Sequence, residues 1–449
     1  MKHSTVLLAG LLAAQLAGPL QAATYLVGPT RTYTQLQPLL DAVTLNPGDI
    51  VLVDGGHTYN GGVIVRVQHS GNASQPVVIR GVRVNGQRPL FTGGNNTIEL
   101  RRANWVTLES LEFTGGTSRC VFVHAANTVL RDLLVRDCPG QGILSADQNT
   151  GSLTLEFSEI RTSGNGTGQH ALYIQTDEVD YPGAVFRMRH NYVHSGNGGN
   201  LLKSRAERNE VHYNWFEGAA YHELELIGPD PFMQQPAWHV DLAREDSEVL
   251  GNVIVHSGSF GAIMRLGGDG TGASKGRYRV VNNTIVATGS ASTYTVFRLF
   301  EPLESVEAHN NVLHRTTSGT FNIERTVEAI WTFGRRVAGS NNWIKTGSSV
   351  VPPEWLGTLS GANPGFVNAG SFDFRPGIGS PLLAAGNPNP TSPAAWPFPA
   401  PTLLPAWLPP QRQALLPGDA LARPPANPPT IGAVVDGPGD TIFSSGFEP

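Results

Sequence analysis

An Asn-centred step recurs along the middle of the chain. It reads His190-Asn191-Tyr192-Val193, Tyr213-Asn214-Trp215-Phe216 and Gly251-Asn252-Val253-Ile254. It continues as Asn282-Asn283-Thr284-Ile285, Asn310-Asn311-Val312-Leu313 and Asn341-Asn342-Trp343-Ile344. Successive Asn positions lie 23, 38, 31, 28 and 31 residues apart, with apolar-alternating runs on either side. Steps of that size predict a stacked repeat whose loops vary in length. Asn tolerates the left-handed backbone of a tight bend. Equivalent Asn side chains in stacked coils are also placed to bond as an amide ladder.

Runs of period two, such as Trp105–Phe113, Thr128–Val135 and Ser152–Ile160, extend the same unit toward the N-terminus. No long segments of helical period separate the strands, which argues against βαβ folds. One helical spacing remains: Leu36, Leu39, Leu40 and Val43 within residues 33–43 predict an amphipathic helix over the open first coil. The 52 glycines, 33 prolines and only 15% charged residues among 449 fit many short elements joined by turns. A net charge of −5 gives no argument for nucleic acid as a partner.

Residues 1–23 combine a polar start at Lys2 and His3, an apolar stretch from Thr5 to Leu20 and small residues at Ala22 and Ala23. This predicts a cleaved signal peptide and export to the periplasm or beyond; no later segment predicts a membrane span. Cys120 and Cys138 lie 18 residues apart, about one coil, and either pair or stay as buried thiols. Beyond residue 386, Pro and Ala dominate without strand periodicity. The segment 387–449 is therefore expected to be a poorly ordered tail ending in a short IFSSGFE-like tag.

Further landmarks carry a family resemblance. Asn46-Pro47-Gly48-Asp49-Ile50-Val51-Leu52-Val53 resembles the strand that opens right-handed parallel β-helices of the pectate lyase and chondroitinase B family. Pro76–Gly81 resembles their second-coil strand, and Asn363–Val367 with Gly379–Leu382 their closing coil. The resemblance implies an all-β, right-handed parallel β-helix solenoid over residues 24–386 with an N-terminal capping helix. It speaks to fold and only weakly to activity.

Aligning the coils gives a candidate site. If Leu172, Leu202, Leu224, Met264 and Phe297 face inward, then Tyr173, Lys203, Glu225, Arg265 and Arg298 form an outward column. Leu202–Asn209 resembles the Lys-bearing strand of the chondroitinase B and alginate lyase group. On that resemblance Lys203 is the base of a β-elimination on an acidic glycan, with Arg205 or Arg265 as acid or carboxylate clamp. Two departures stand out. Glu225 occupies the position where the group has Arg, and a neighbouring carboxylate favours the ammonium over the free base. The group's calcium-binding acidic residues are replaced by Gly196, Gly198 and Gly199. Calcium nonetheless stays open through the acidic stretch Gln175–Gly183, where a solvated loop is the simpler reading.

Other readings of the column are an ion-pair ladder that decorates the sheet, a glycan- or surface-binding solenoid without turnover, and a glycoside hydrolase using Glu223 and Glu225 as outward carboxylates. His170 and His222 flank the column as further general-acid candidates. The 227–245 insertion carries Trp238 and His239 as candidate sugar contacts. The Gly-rich 267–276 loop suggests no ligand. Capped solenoids of this kind are expected to be monomers.

Overall fold

The computed structural model describes residues 22–228, 246–269, 276–300, 303–327 and 334–436. The expected signal peptide and terminal tag therefore lie almost wholly outside the described residues. So do Trp238, His239 and most of the 227–245 and 267–276 loops.

Three parallel sheets of 13, 12 and 10 strands run along the described residues, and ten successive coils each contribute one strand to each sheet. Residues facing the axis form one continuous apolar core from Val27 to Trp355. Among the described residues one α-helix occurs, Leu36–Ala42, with Leu36, Leu39 and Leu40 buried. It covers the first coil, and the Gln37 side-chain oxygen accepts the Ile64 backbone N–H at 2.7 Å. An edge N–H of the 10-stranded sheet is thereby satisfied. No helix among the described residues is long and apolar enough to cross a membrane.

The recurrent Asn residues stack in the core wall. Asn191 donates to Asn214 at 2.9 Å; the links Asn214–Asn252, Asn252–Asn283, Asn283–Asn311 and Asn311–Asn342 are each 3.0 Å. All six are fully buried. Each interior amide also takes up backbone groups: Asn252 donates to Val211 and Leu250 carbonyls and accepts the Asn214 N–H. The left-handed bend falls one residue earlier than expected, on His190, Tyr213, Gly251, Asn282, Asn310 and Asn341. Asn in the ladder is thus selected for its amide and not for its backbone.

Cys120 and Cys138 are bonded to each other with Cα atoms 5.9 Å apart. They join the strand Arg119–His124 of the 10-stranded sheet to Leu134–Cys138 of the 12-stranded sheet, one coil on.

The Pro-rich segment is a correction to the expected tail. Residues 387–436 have little regular structure, yet they pack along the 12- and 13-stranded sheets. Asn310 and Asn387 exchange bonds of 3.0 and 2.7 Å, and Asn282 donates to the Thr430 carbonyl at 3.0 Å. Ile431, Ala433 and Val434 bury against Trp343, Trp215 and Val253. Doubled Asn steps therefore serve two partners: the inner Asn ladder and, through the outer Asn, this segment.

Candidate active site

The 10-stranded sheet presents the column that alternation predicts. Tyr173 pairs in register with Lys203, Lys203 with Glu225, Glu225 with Arg265 and Arg265 with Arg298. Adjacent strands lie about 4.8 Å apart, so these side chains touch in sequence. Lys203, Glu225, Arg265 and Arg298 line a groove of about 280 Å³ together with His170, Asn200, His222 and Phe260.

The charges in the groove are heavily paired. One Glu225 oxygen accepts from Arg265 at 2.6 Å, and the other accepts from the Asn200 side chain. Lys203 Nζ stands 4.0 Å from Glu225 and donates to Asp269 at 3.0 Å, with the Tyr173 ring 5.4 Å away. Asp269 was not anticipated. It lies 66 residues beyond Lys203, in the Gly-rich loop that suggested no ligand, and only the fold brings them together.

Arg205 is corrected as a groove residue. It is 2% exposed, donates to Asp269 at 2.6 Å and to Tyr173 Oη at 3.2 Å, and also bonds the Gly228 carbonyl. Its guanidinium braces the site from beneath. Glu223 is also corrected. It is fully buried, with its carboxylate 2.7 Å from His256 Nδ1, so Glu223 and Glu225 do not form the outward pair a hydrolase needs.

Asn200 fixes the states of the two groove histidines. Its backbone N–H donates to His170 Nδ1 at 2.9 Å, which leaves the His170 proton on Nε2. Its side-chain oxygen lies 3.2 Å from His222 Nδ1, which must donate. Burial, reinforced by Lys203 and Arg205, pushes His170 down to about 3. Burial, reinforced by Arg265 and Arg298, pushes His222 down to about 2. Both rings are therefore neutral near pH 7, and neither supplies an acidic proton there.

Calcium does not fit where the resemblance would put it. Gly199 has φ +55°, and a Cβ there would stand 2.3 Å from His170 Nδ1. A Cβ on Gly198 would meet the Asn165 backbone at 2.5 Å. In the acidic loop, the Asp177 oxygens accept backbone N–H groups of Asn149, Val179 and Asp180. Burial pushes Glu178 up to about 8. Asp177 and Glu178 are thus built into the fold rather than left open as cation ligands.

No protein-family model matches the chain, and no curated protein matches it significantly. Solved structures do match its fold. The pectate lyase Pel9A superposes with a TM-score of 0.52 at 13% identity, covering 84% of this chain and 95% of its own. An alginate lyase from Paenibacillus sp. str. FPU-7 gives a TM-score of 0.43 at 16% identity, over 67% of this chain and 97% of that one. The lacto-N-biosidase from Eubacterium ramulus gives 0.42 at 12%, over 71% and 67%. Three parallel sheets wound as coils, a helix cap and this superposition identify the fold as the right-handed parallel β-helix of pectate lyase-like proteins.

Proposed function

We propose that the protein is an exported carbohydrate-active β-helix that cleaves an acidic glycan by β-elimination. The observation that carries this reading is the row Lys203–Glu225–Arg265–Arg298 in one groove, with Glu225 between Lys203 and Arg265 and Arg298 one coil further on. Arg265 and Arg298 are placed to face a uronate carboxylate, and neutralising that charge acidifies the adjacent C–H. Lys203 is the groove cation suited to the proton step. With its own proton passed to Asp269, 3.0 Å away, Lys203 takes the proton from the carbon beside the carboxylate, and the ammonium so formed gives it to the glycosidic oxygen as the C–O bond breaks. Glu225, clasped by Asn200 and Arg265, positions the cations on both sides.

The test is to incubate the mature protein with a panel of uronic-acid polymers and follow absorbance of unsaturated ends. Release is expected with at least one polymer, and a loss of about a hundredfold or more in Lys203→Ala and Arg265→Ala. Absence of signal with every polymer, with and without calcium, overturns the reading. The saturation of Lys203 and Arg205 by Asp269 favours one second reading, a glycan-binding solenoid without turnover. It predicts polymer binding and no unsaturated ends.

A further inference from the structure

A second concavity of about 400 Å³ opens on the same face of the 10-stranded sheet, lined by Arg66, Gln68, Arg101, Arg102, His124 and Asn149. Arg66 pairs in register with Arg101, and Arg101 with His124. The Arg101 strand lies four coils before that of Lys203. At about 4.8 Å per coil the two sites are about 19 Å apart along the axis.

Cations outnumber anions there. Asp41 takes Arg66 at 3.2 Å, while the buried Glu99 takes Arg101 at 2.6 Å and His124 at 2.8 Å. Arg102 has no carboxylate within 4.0 Å among the described residues, and neither has Arg119, which lies outside the concavity at the start of the His124 strand. Arg119 instead sits 4.3 Å over the Phe122 ring and donates to the Asn96 side chain at 3.3 Å. Between the basic end and the groove, the Lys203 row continues as Tyr173, Leu144 and Phe122. Tyr173 and Phe122 are only half-buried, two coils or about 10 Å apart. The Pro-rich segment 387–436 packs on the other two sheets and makes no contact with this row that would cover it.

We infer that this face is one binding track for an anionic polysaccharide, anchored at its far end by Arg66, Arg101 and Arg102. Tyr173 stacks on an intervening sugar ring, because an aromatic face and an edge of aligned C–H groups complement each other, and Phe122, held under Arg119 and against His124, offers the exposed part of its ring. The cationic end holds a carboxylate about 29 Å along the axis from the one at Arg265, whose strand lies two coils beyond that of Lys203. The proposal rests on the reading that the groove takes a carboxylated glycan, and it adds a length requirement to that reading.

The experiment compares a trisaccharide and an octasaccharide of the same uronic acid on the full chain, by calorimetry and by release of unsaturated ends. The wild type is expected to bind the octasaccharide about tenfold or more tightly than the trisaccharide. The R101Q/R102Q double variant is expected to lose that advantage, with a shallower salt dependence and an unchanged trisaccharide affinity. F122A is expected to weaken the octasaccharide alone. An unchanged melting temperature checks that the variants are folded. Equal affinities for the two lengths, or an indifferent double variant, overturn the track even if unsaturated ends are released. A length effect that depends on Arg101 and Arg102 without unsaturated ends overturns the lyase reading and leaves the track standing. No binding of either oligomer overturns both.

Discussion

At the scale of single residues, buried amides and acids decide how the molecule responds to change. Asn252 bonds with Asn214, Asn283, Val211 and Leu250, all inside the core. Asn252→Ala leaves several of these groups unpaired, at about 1–3 kcal/mol each, so a loss of about 3 kcal/mol or more is expected in denaturant unfolding. Glu178 offers a pH signature. Its folded value of about 8 stands above the ordinary 4.5, so its favourable contribution is complete below pH 4.5 and is lost as pH rises through about 8. Glu178→Gln is therefore expected to match the wild type near pH 4 and to be the more stable protein near pH 9, by thermal melting. His170 and His222 carry the opposite sign. Their folded values are depressed, so their contribution is full above 6.5 and fades as pH falls toward about 3 and about 2. Replacing both by Gln is expected to flatten the acid limb of the stability profile.

Strands, cap and cross-link act at the scale of elements. The Cys120–Cys138 bond closes a loop of 18 residues across two sheets. Loops of that size correspond to about 3 kcal/mol in the chain-entropy model. The Cys120→Ala/Cys138→Ala variant is expected to unfold at lower denaturant, and a reductant should move the wild type to the same midpoint. The capping helix explains itself by the edge it covers: Leu36, Leu39 and Leu40 enter the core while Gln35 and Gln37 accept N–H groups of Asn60 and Ile64. A charge at Leu39 is expected to expose the first coil and promote aggregation, read by light scattering.

For the whole molecule, the Pro-rich segment is a separable layer. None of residues 387–436 joins the three long sheets, and the Asn ladder is complete without them. Truncation after residue 386 is expected to leave the far-UV spectrum of a β-helix but to lower the melting temperature. The cause would be exposure of Trp215, Val253, Val312 and Trp343 and the loss of partners for Asn282 and Asn310. Loss of the β-helix itself on truncation would show that the segment is part of the folding unit.

Local periodicity was enough for much of this. Alternation and the spacing of Asn residues carry the coil, the inward Leu column and the order Tyr173, Lys203, Glu225, Arg265, Arg298. A one-residue slip in a strand would turn its whole apolar set outward, so the register is legible from the strand pattern alone. What the pattern cannot carry is contact between coils and loops distant in sequence. Asp269 meets Lys203 and Arg205 across more than sixty residues. Glu223 turns to His256 at a corner where alternation breaks down. Asn200 commits its backbone and side chain to two histidines and one glutamate from a turn that precedes a strand. Residues 387–436, rich in Pro and Ala, dock because the outer Asn amides need partners, a demand visible only once the coils are stacked. The sequence by itself determined the repeat and the row of charges. Tertiary structure decided which of those charges are already paired, because pairing depends on three-dimensional closure rather than on period.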